Sequence, residues 1–138
     1  MPDALTVRFR VDFGAQCSVG IGKIELLEAI HRTGSLSQAA RLLGMSYRRA
    51  WLLMADLNAS FDRPVVDTMT GGAHGGGAVL TDFGGQLVAG YRQLESNLQP
   101  MANRCLSDLR KRVATDKAKG GVRPRSGKRR PGVPAAGG

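Results

Sequence analysis

The sequence predicts a mainly α protein with a small antiparallel sheet, closing in a long C-terminal helix and a basic tail. Three observations carry this reading. Two stretches with helical apolar spacing are joined across Gly44 by about three residues. Two short runs rich in β-branched and apolar residues, 64–68 and 78–80, flank a glycine-rich stretch. Further on, Leu87, Tyr91, Leu94, Leu98, Met101 and Cys105 recur at alternating spacings of four and three, as along one face of a packed helix.

Taken in order, Leu5, Val7, Phe9, Val11 and Phe13 alternate with Thr6, Arg8, Arg10, Asp12 and Gly14, the period of a strand with one buried face, so residues 5–13 are expected to form the first strand. A bend containing Gly14, Gly20 and Gly22 follows. From Lys23 to Thr33, Ile24, Leu27 and Ile30 lie on one helical stripe, and Gly34 stops the helix. Ser35 and Gln38 have the spacing of a capping box and open a second helix that reaches about Leu43. Gly44 ends it, and Ser46 caps a third helix running to about Ala59. The hairpin with its tip at 71–77 comes next. Thr81 then caps a helix starting at Asp82 and extending to about Val113, which Pro100 should kink or restart.

At 138 residues the chain has room for one ordinary domain. Its formal net charge of +9 is unevenly spread, with +3 over residues 1–113 and +6 over residues 114–138. Such a tail suits a polyanion, because each phosphate neutralised releases counterions. It contains no aromatic residue and few large apolar ones, so it is expected to be disordered. Cys17 and Cys105 are too few for a disulfide framework and lack metal-ligand spacing. No segment reads as a signal peptide or a membrane span, which points to a cytoplasmic protein without a membrane partner. No catalytic set, metal site or cofactor motif emerges, and an enzyme is not expected.

Two helices joined by so short a turn, with the small Ala39 and Ala40 where they must approach, make a helix-turn-helix. At 100° per residue, Ala50, Leu53, Met54 and Leu57 cluster on one side of the third helix, while Arg48, Leu52 and Ala55 point the opposite way, flanked by Arg49 and Trp51. A forked guanidinium beside an exposed apolar side chain suits a helix that reads base edges in the major groove of DNA. The plainer alternative has the two arginines solvating a helix end, although cations there oppose the helix dipole.

Four stretches sharpen this: Gly22-Lys-Ile-Glu-Leu-Leu-Glu-Ala-Ile30, Thr33-Gly-Ser-Leu-Ser-Gln-Ala-Ala40, Leu43-Gly-Met-Ser-Tyr-Arg-Arg-Ala-Trp51 and Gly75-Gly-Gly-Ala-Val-Leu-Thr81. Together they resemble the N-terminal DNA-binding domain of the ModE family of molybdate-responsive regulators, itself related to the LysR-type helix-turn-helix. The resemblance covers roughly residues 5–98. It implies a dimeric winged helix-turn-helix transcriptional regulator, with a DNA-binding domain at 1–98, an overlapping dimerisation helix at 82–113 and the tail at 114–138. On double-stranded DNA the expected contacts are Ser35, Ser37 and Gln38, then Ser46, Tyr47, Arg48, Arg49, Trp51 and Leu52, and in the wing Thr70, Gly72 and His74. The homodimer is expected through Leu87, Tyr91, Leu94 and Leu98, on an inverted-repeat operator. Members of the family continue into molybdate-binding modules; here the basic tail stands in that place, so molybdate is not expected to bind this chain.

Several alternatives stay open at this level. The glycines from Thr70 to Gly77 could cradle a phosphate, but no Gly-Lys-Ser/Thr follows and a strand comes next. His74 is either a phosphate contact or a solvated loop residue, and His31 a helix-end cation or a partly buried side chain. Trp51 lies on the border between faces and could plug the core or touch DNA. The Leu87–Cys105 seam could pack on its own domain. A protein-interaction module using the same outward face is the competing function.

Overall fold

The computed structural model describes residues 5–69 and 77–114. The elements, in order, are β1 (Arg10–Phe13), β2 (Cys17–Gly20), α1 (Ile21–Thr33), α2 (Leu36–Leu43), α3 (Tyr47–Ser60), β3 (Val66–Met69), β4 (Gly77–Leu80) and α4 (Asp82–Arg110). The strands form two separate antiparallel pairs. β1 pairs with β2, Arg10 opposite Gly20 and Phe13 opposite Cys17, and β3 pairs with β4, Val66 opposite Leu80 and Met69 opposite Gly77. The wing tip, with Thr70, Gly72 and His74, and the tail from 115 onward lie outside the described residues.

Local chemistry sets the helix boundaries. α1 and α2 both end on a glycine in the left-handed region, Gly34 and Gly44, each at φ 71°, a conformation that costs a side-chain-bearing residue more. α2, α3 and α4 each begin with a hydroxyl that accepts a backbone N–H: Ser35 from Gln38 at 3.1 Å, Ser46 from Arg49 at 3.0 Å, and Thr81 from Gly84 at 2.9 Å. The capping box at Ser35 is only half made. Its own N–H donates to the Thr33 hydroxyl at 3.3 Å instead of the Gln38 side chain, because Thr33 is two residues away and already turned toward this corner by its bonds to the Ala29 and Ser35 carbonyls.

α1 is the centre of the core. Ile24, Leu26, Leu27 and Ile30 are completely buried, and around them pack Ala39 of α2, Ala50 and Leu57 of α3, Val19 of β2, and Val65 and Val66 at the start of the second hairpin. Both alanines are fully buried, one on each helix, where larger side chains would hold α2 and α3 away from the core.

The first strand and the bend after it need correction. The first strand covers only residues 10–13, and the glycine-containing bend holds its partner, β2. Residues 5–9 join no strand and lie along α4. Gln99 there accepts the Val7 N–H (3.2 Å) and donates to the Leu5 carbonyl (2.8 Å), and the Tyr91 hydroxyl donates to the Phe9 carbonyl (2.7 Å). Their backbone groups are thus satisfied by side chains of a helix instead of a neighbouring strand. Of the two outcomes expected at Pro100, a kink or a restart, the restart does not occur, since α4 runs as one helix through it. Proline removes one N–H donor, and the preceding turns of a 29-residue helix absorb the loss.

Phe9 stacks on Tyr91 with ring centroids 4.3 Å apart, which buries Tyr91 and pushes its hydroxyl pKa upward through desolvation. A second aromatic chain, Phe13, Phe61 and Phe83, meets edge-on and ties the first hairpin, the end of α3 and the start of α4 together.

Candidate nucleic-acid interface

The corner between α2 and α3 is built tightly. Met45 N–H returns to the Ala40 carbonyl at 3.0 Å and Gly44 N–H to that of Arg41 at 3.2 Å, so two residues after the glycine Ser46 already caps the next helix. α3 therefore leaves the corner with its Ala50, Met54 and Leu57 side buried and the opposite side in solvent. On that open side stand Arg48 and Leu52, with Ala55 partly exposed behind them. Arg49 is exposed on one flank, Tyr47 and Trp51 on the other. Trp51 keeps 46% of its surface and Leu52 49%, which places the tryptophan on the surface and not in the core.

At the start of α2, Ser37 and Gln38 are exposed, and the Ser35 hydroxyl lies 3.2 Å from that of Ser37. Ser35 and Ser46 are committed as caps, so they shape the two helix starts; Arg41 and Leu42 project into solvent near the corner. The structure thus brings Ser35, Ser37, Gln38, Ser46, Tyr47, Arg48, Arg49, Trp51 and Leu52 onto α2 and α3 around one corner.

The second hairpin is fastened to this unit at both strands. Asn58, late in α3, accepts the Val65 and Val66 N–H groups on Oδ1 (2.7 and 3.1 Å) and donates from Nδ2 to the Val66 carbonyl (3.0 Å). On the other strand, Ala78 N–H donates to the Gly34 carbonyl at 3.1 Å, at the α1–α2 turn. Thr81 closes the base, donating its hydroxyl toward the Pro64 and Val65 carbonyls while capping α4. Sequence reasoning did not single out Asn58. A polar residue late in a helix has no local signature of such a bond, since its partners are seven and eight residues onward.

Lys23 adds a further tie. Its ammonium reaches Asp56 of α3 at 2.6 Å and the Ser18 carbonyl at 2.8 Å, joining α1, α3 and β2. It also neutralises the acidic side chain nearest the outward face of α3.

This arrangement of three helices, a tight corner and a hairpin agrees with comparison to known proteins. The family model for the bacterial regulatory helix-turn-helix protein, lysR family, matches residues 21–85. The match takes in α1, α2, α3 and the second hairpin, just under half of the chain. The region around it is similar to several curated relatives. It is 38% identical over 97 residues to the molybdenum transport protein ModE of Azotobacter vinelandii, covering 70% of this chain and 36% of that protein. It is 45% identical over 80 residues to the molybdenum-pterin-binding protein MopA of Rhodobacter capsulatus, covering 58% and 30%. To the DNA-binding transcriptional dual regulator ModE of Escherichia coli K12 it is 41% identical over 86 residues, covering 62% and 32%. The chain spans about a third of the length of these relatives.

Running on from the matched region, α4 carries the seam expected to join two chains. Its first part faces inward. Tyr91 is buried against Phe9, and Leu87 packs on the core, so neither leaves much surface for a second chain. Leu94 keeps 38% of its surface, Met101 and Cys105 are exposed and Leu98 is half-buried. Val11, Phe13 and Val19 of the first hairpin form, with Leu87, Tyr91 and Leu94, an apolar groove of about 210 Å³ beside this part of the seam. Cys17 is buried in the core. His31 is exposed near the end of α1, beside Glu28 and Arg32. Among the described residues no helix is long and apolar enough to cross a membrane.

Proposed function

We propose that this chain is a DNA-binding transcriptional regulator of the ModE type, acting in the cytoplasm as a homodimer on an inverted-repeat operator. In this reading α3 enters the major groove, the start of α2 meets the backbone, and the β3–β4 hairpin serves as a wing along the sugar-phosphate. The observation that carries it is the outward side of α3 in a LysR-type domain. Arg48 and Leu52 stand in solvent directly opposite the fully buried Ala50 and Leu57, which is the orientation a groove-reading helix needs. Dimerisation rests on Leu94, Leu98 and Met101, the outward part of the α4 seam. The names of the relatives set this regulation in a molybdenum context; molybdate itself is not assigned to this chain.

A second reading, a protein-docking module, draws support from Leu42, Tyr47, Trp51 and Leu52, four large exposed side chains near the same corner. Selection sequencing with the purified protein separates the two. As a reader, the chain enriches a two-fold symmetric site; as a docking module it enriches none.

The same experiment on two variants tests the orientation of α3. Arg48 is aimed away from the core, whereas Arg49 is rotated by about 100° toward the flank where the backbone passes. Arg48→Ala should relax preference at one position per half-site, a loss of about 1 to 3 kcal/mol in discrimination. Arg49→Ala should weaken all sequences alike and lower the salt slope by about one. The reverse assignment would mean that α3 sits differently in the groove.

A further inference from the structure

We infer that α3 reads thymine methyl groups through Leu52, Ala55 and Ala59, beside the one base assigned to Arg48. The inference rests on the DNA-binding reading above and specifies its chemistry. At 100° per residue, the stripe opposite the buried side of α3 consists of Arg48, Leu52, Ala55 and Ala59, since Ala50, Met54 and Leu57 define the buried side. Leu52 and Ala59 are exposed and Ala55 partly so. After Arg48, then, no side chain on this stripe can donate or accept a hydrogen bond.

The consequence follows from what a base pair shows in the major groove. Adenine, guanine and cytosine present only donors and acceptors there, while thymine adds an apolar 5-methyl group. An apolar side chain pressed on a donor or acceptor removes its water and returns nothing, whereas pressed on the methyl it gains buried apolar surface. The two alanines matter for reach, because short side chains let the helix axis come close to the base edges. With a rise of about 1.5 Å per residue, the stripe from Arg48 to Ala59 extends roughly 16 Å, the length of about four to five base pairs.

The flanks supply few polar contacts. Asp56, which would repel phosphate, is held by Lys23 at 2.6 Å, and Arg49 lies on the backbone side. Tyr47 and Trp51 border the stripe on the other side with largely apolar rings, each carrying one polar group, the hydroxyl and the indole N–H.

The experiment is a thermodynamic cycle on the full chain and its selected site. Thymines within five base pairs of the base lost in the Arg48→Ala selection are replaced singly by uracil, which removes the methyl and leaves every hydrogen-bonding group. At least one replacement per half-site should weaken binding by about fourfold, the effect of burying one methyl. Leu52→Ala should reduce the penalty at its own thymine to near onefold, while Arg48→Ala should leave that penalty in place. Leu52 is exposed, so the variant keeps its fold. A parent protein indifferent to uracil at every position overturns this inference alone, as does a Leu52→Ala variant whose penalties all match the parent's. If the parent selects no sequence, the DNA-binding reading falls and the inference with it.

Discussion

Arg92 of α4 grips Glu28 of α1 with both arms of its fork, Nε to Oε2 and Nη2 to Oε1, each at 2.8 Å, and its remaining nitrogen reaches Glu95 at 2.8 Å. The hydrogen bonds from Arg92 hold the Glu28 carboxyl below its ordinary pKa of 4.5, and the two carboxylates hold the guanidinium above its own. A carboxyl with a depressed folded pKa contributes stability that is present above its unfolded value and lost as pH falls through the folded one. Arg92→Met should therefore lower stability by about 1 kcal/mol near neutrality, since both partners are partly exposed. The gap between variant and parent should close below pH 4.5. Urea unfolding at several pH values reads both effects; an unchanged gap at low pH would remove the pair from the account.

Gly84 is required for the seating of α4. A Cβ there would lie 2.3 Å from the Val65 carbonyl oxygen and 2.6 Å from the Leu80 side chain. Neither can retreat easily: that carbonyl already accepts from the Thr81 N–H and hydroxyl. Gly84→Ala should cost about 1 to 3 kcal/mol despite alanine's better helix propensity, whereas Gly85→Ala, with open space around it, should be neutral or stabilising. Thermal unfolding of the two variants side by side is the check.

Asn58 should be among the least replaceable polar residues in the chain. Asn58→Leu keeps the approximate volume but abandons two N–H groups on the buried Val65 and Val66, at a cost of about 2 to 4 kcal/mol. Asn58→Asp retains both acceptors and loses only the bond to the Val66 carbonyl, so it should fall between leucine and the parent. Equal stability of leucine and aspartate variants in chemical denaturation would contradict the assigned bonds.

The dimer seam is tested at Leu94. Leu94→Glu should yield a monomer by sedimentation with an intact fold, because the side chain is half in solvent in the single chain. Tyr91→Glu should instead unfold the region around Phe9. A Leu94→Glu protein that stays dimeric moves the interface elsewhere.

How far the sequence could be read depends on whether a residue's partner is near in the chain. The helix starts at Ser35, Ser46 and Thr81 and the stops at Gly34 and Gly44 are local chemistry, and all were legible. So was the outward side of α3, because 100° per residue is enough to separate Leu52 from Ala50. The strand Cys17–Gly20 was hidden, since two apolar residues among glycines make too short a pattern. At residues 5–9 the alternation pointed to a strand, yet could not say that Tyr91 and Gln99, more than eighty residues away, would serve as its partners. Asn58 was missed for a related reason: nothing in its neighbourhood announces bonds to a strand. The inward turn of Tyr91 was hidden because one apolar seam serves the core over its first part and solvent over its second.

The two ties at the hairpin base bear on how this architecture can change over time. Asn58 holds one strand and the Gly34 carbonyl the other, so the two anchors lie on either side of the stretch between Met69 and Gly77. A change made between Met69 and Gly77 therefore touches neither anchor, so lineages, or engineers, can vary that segment while the outward side of α3 keeps its place on the core.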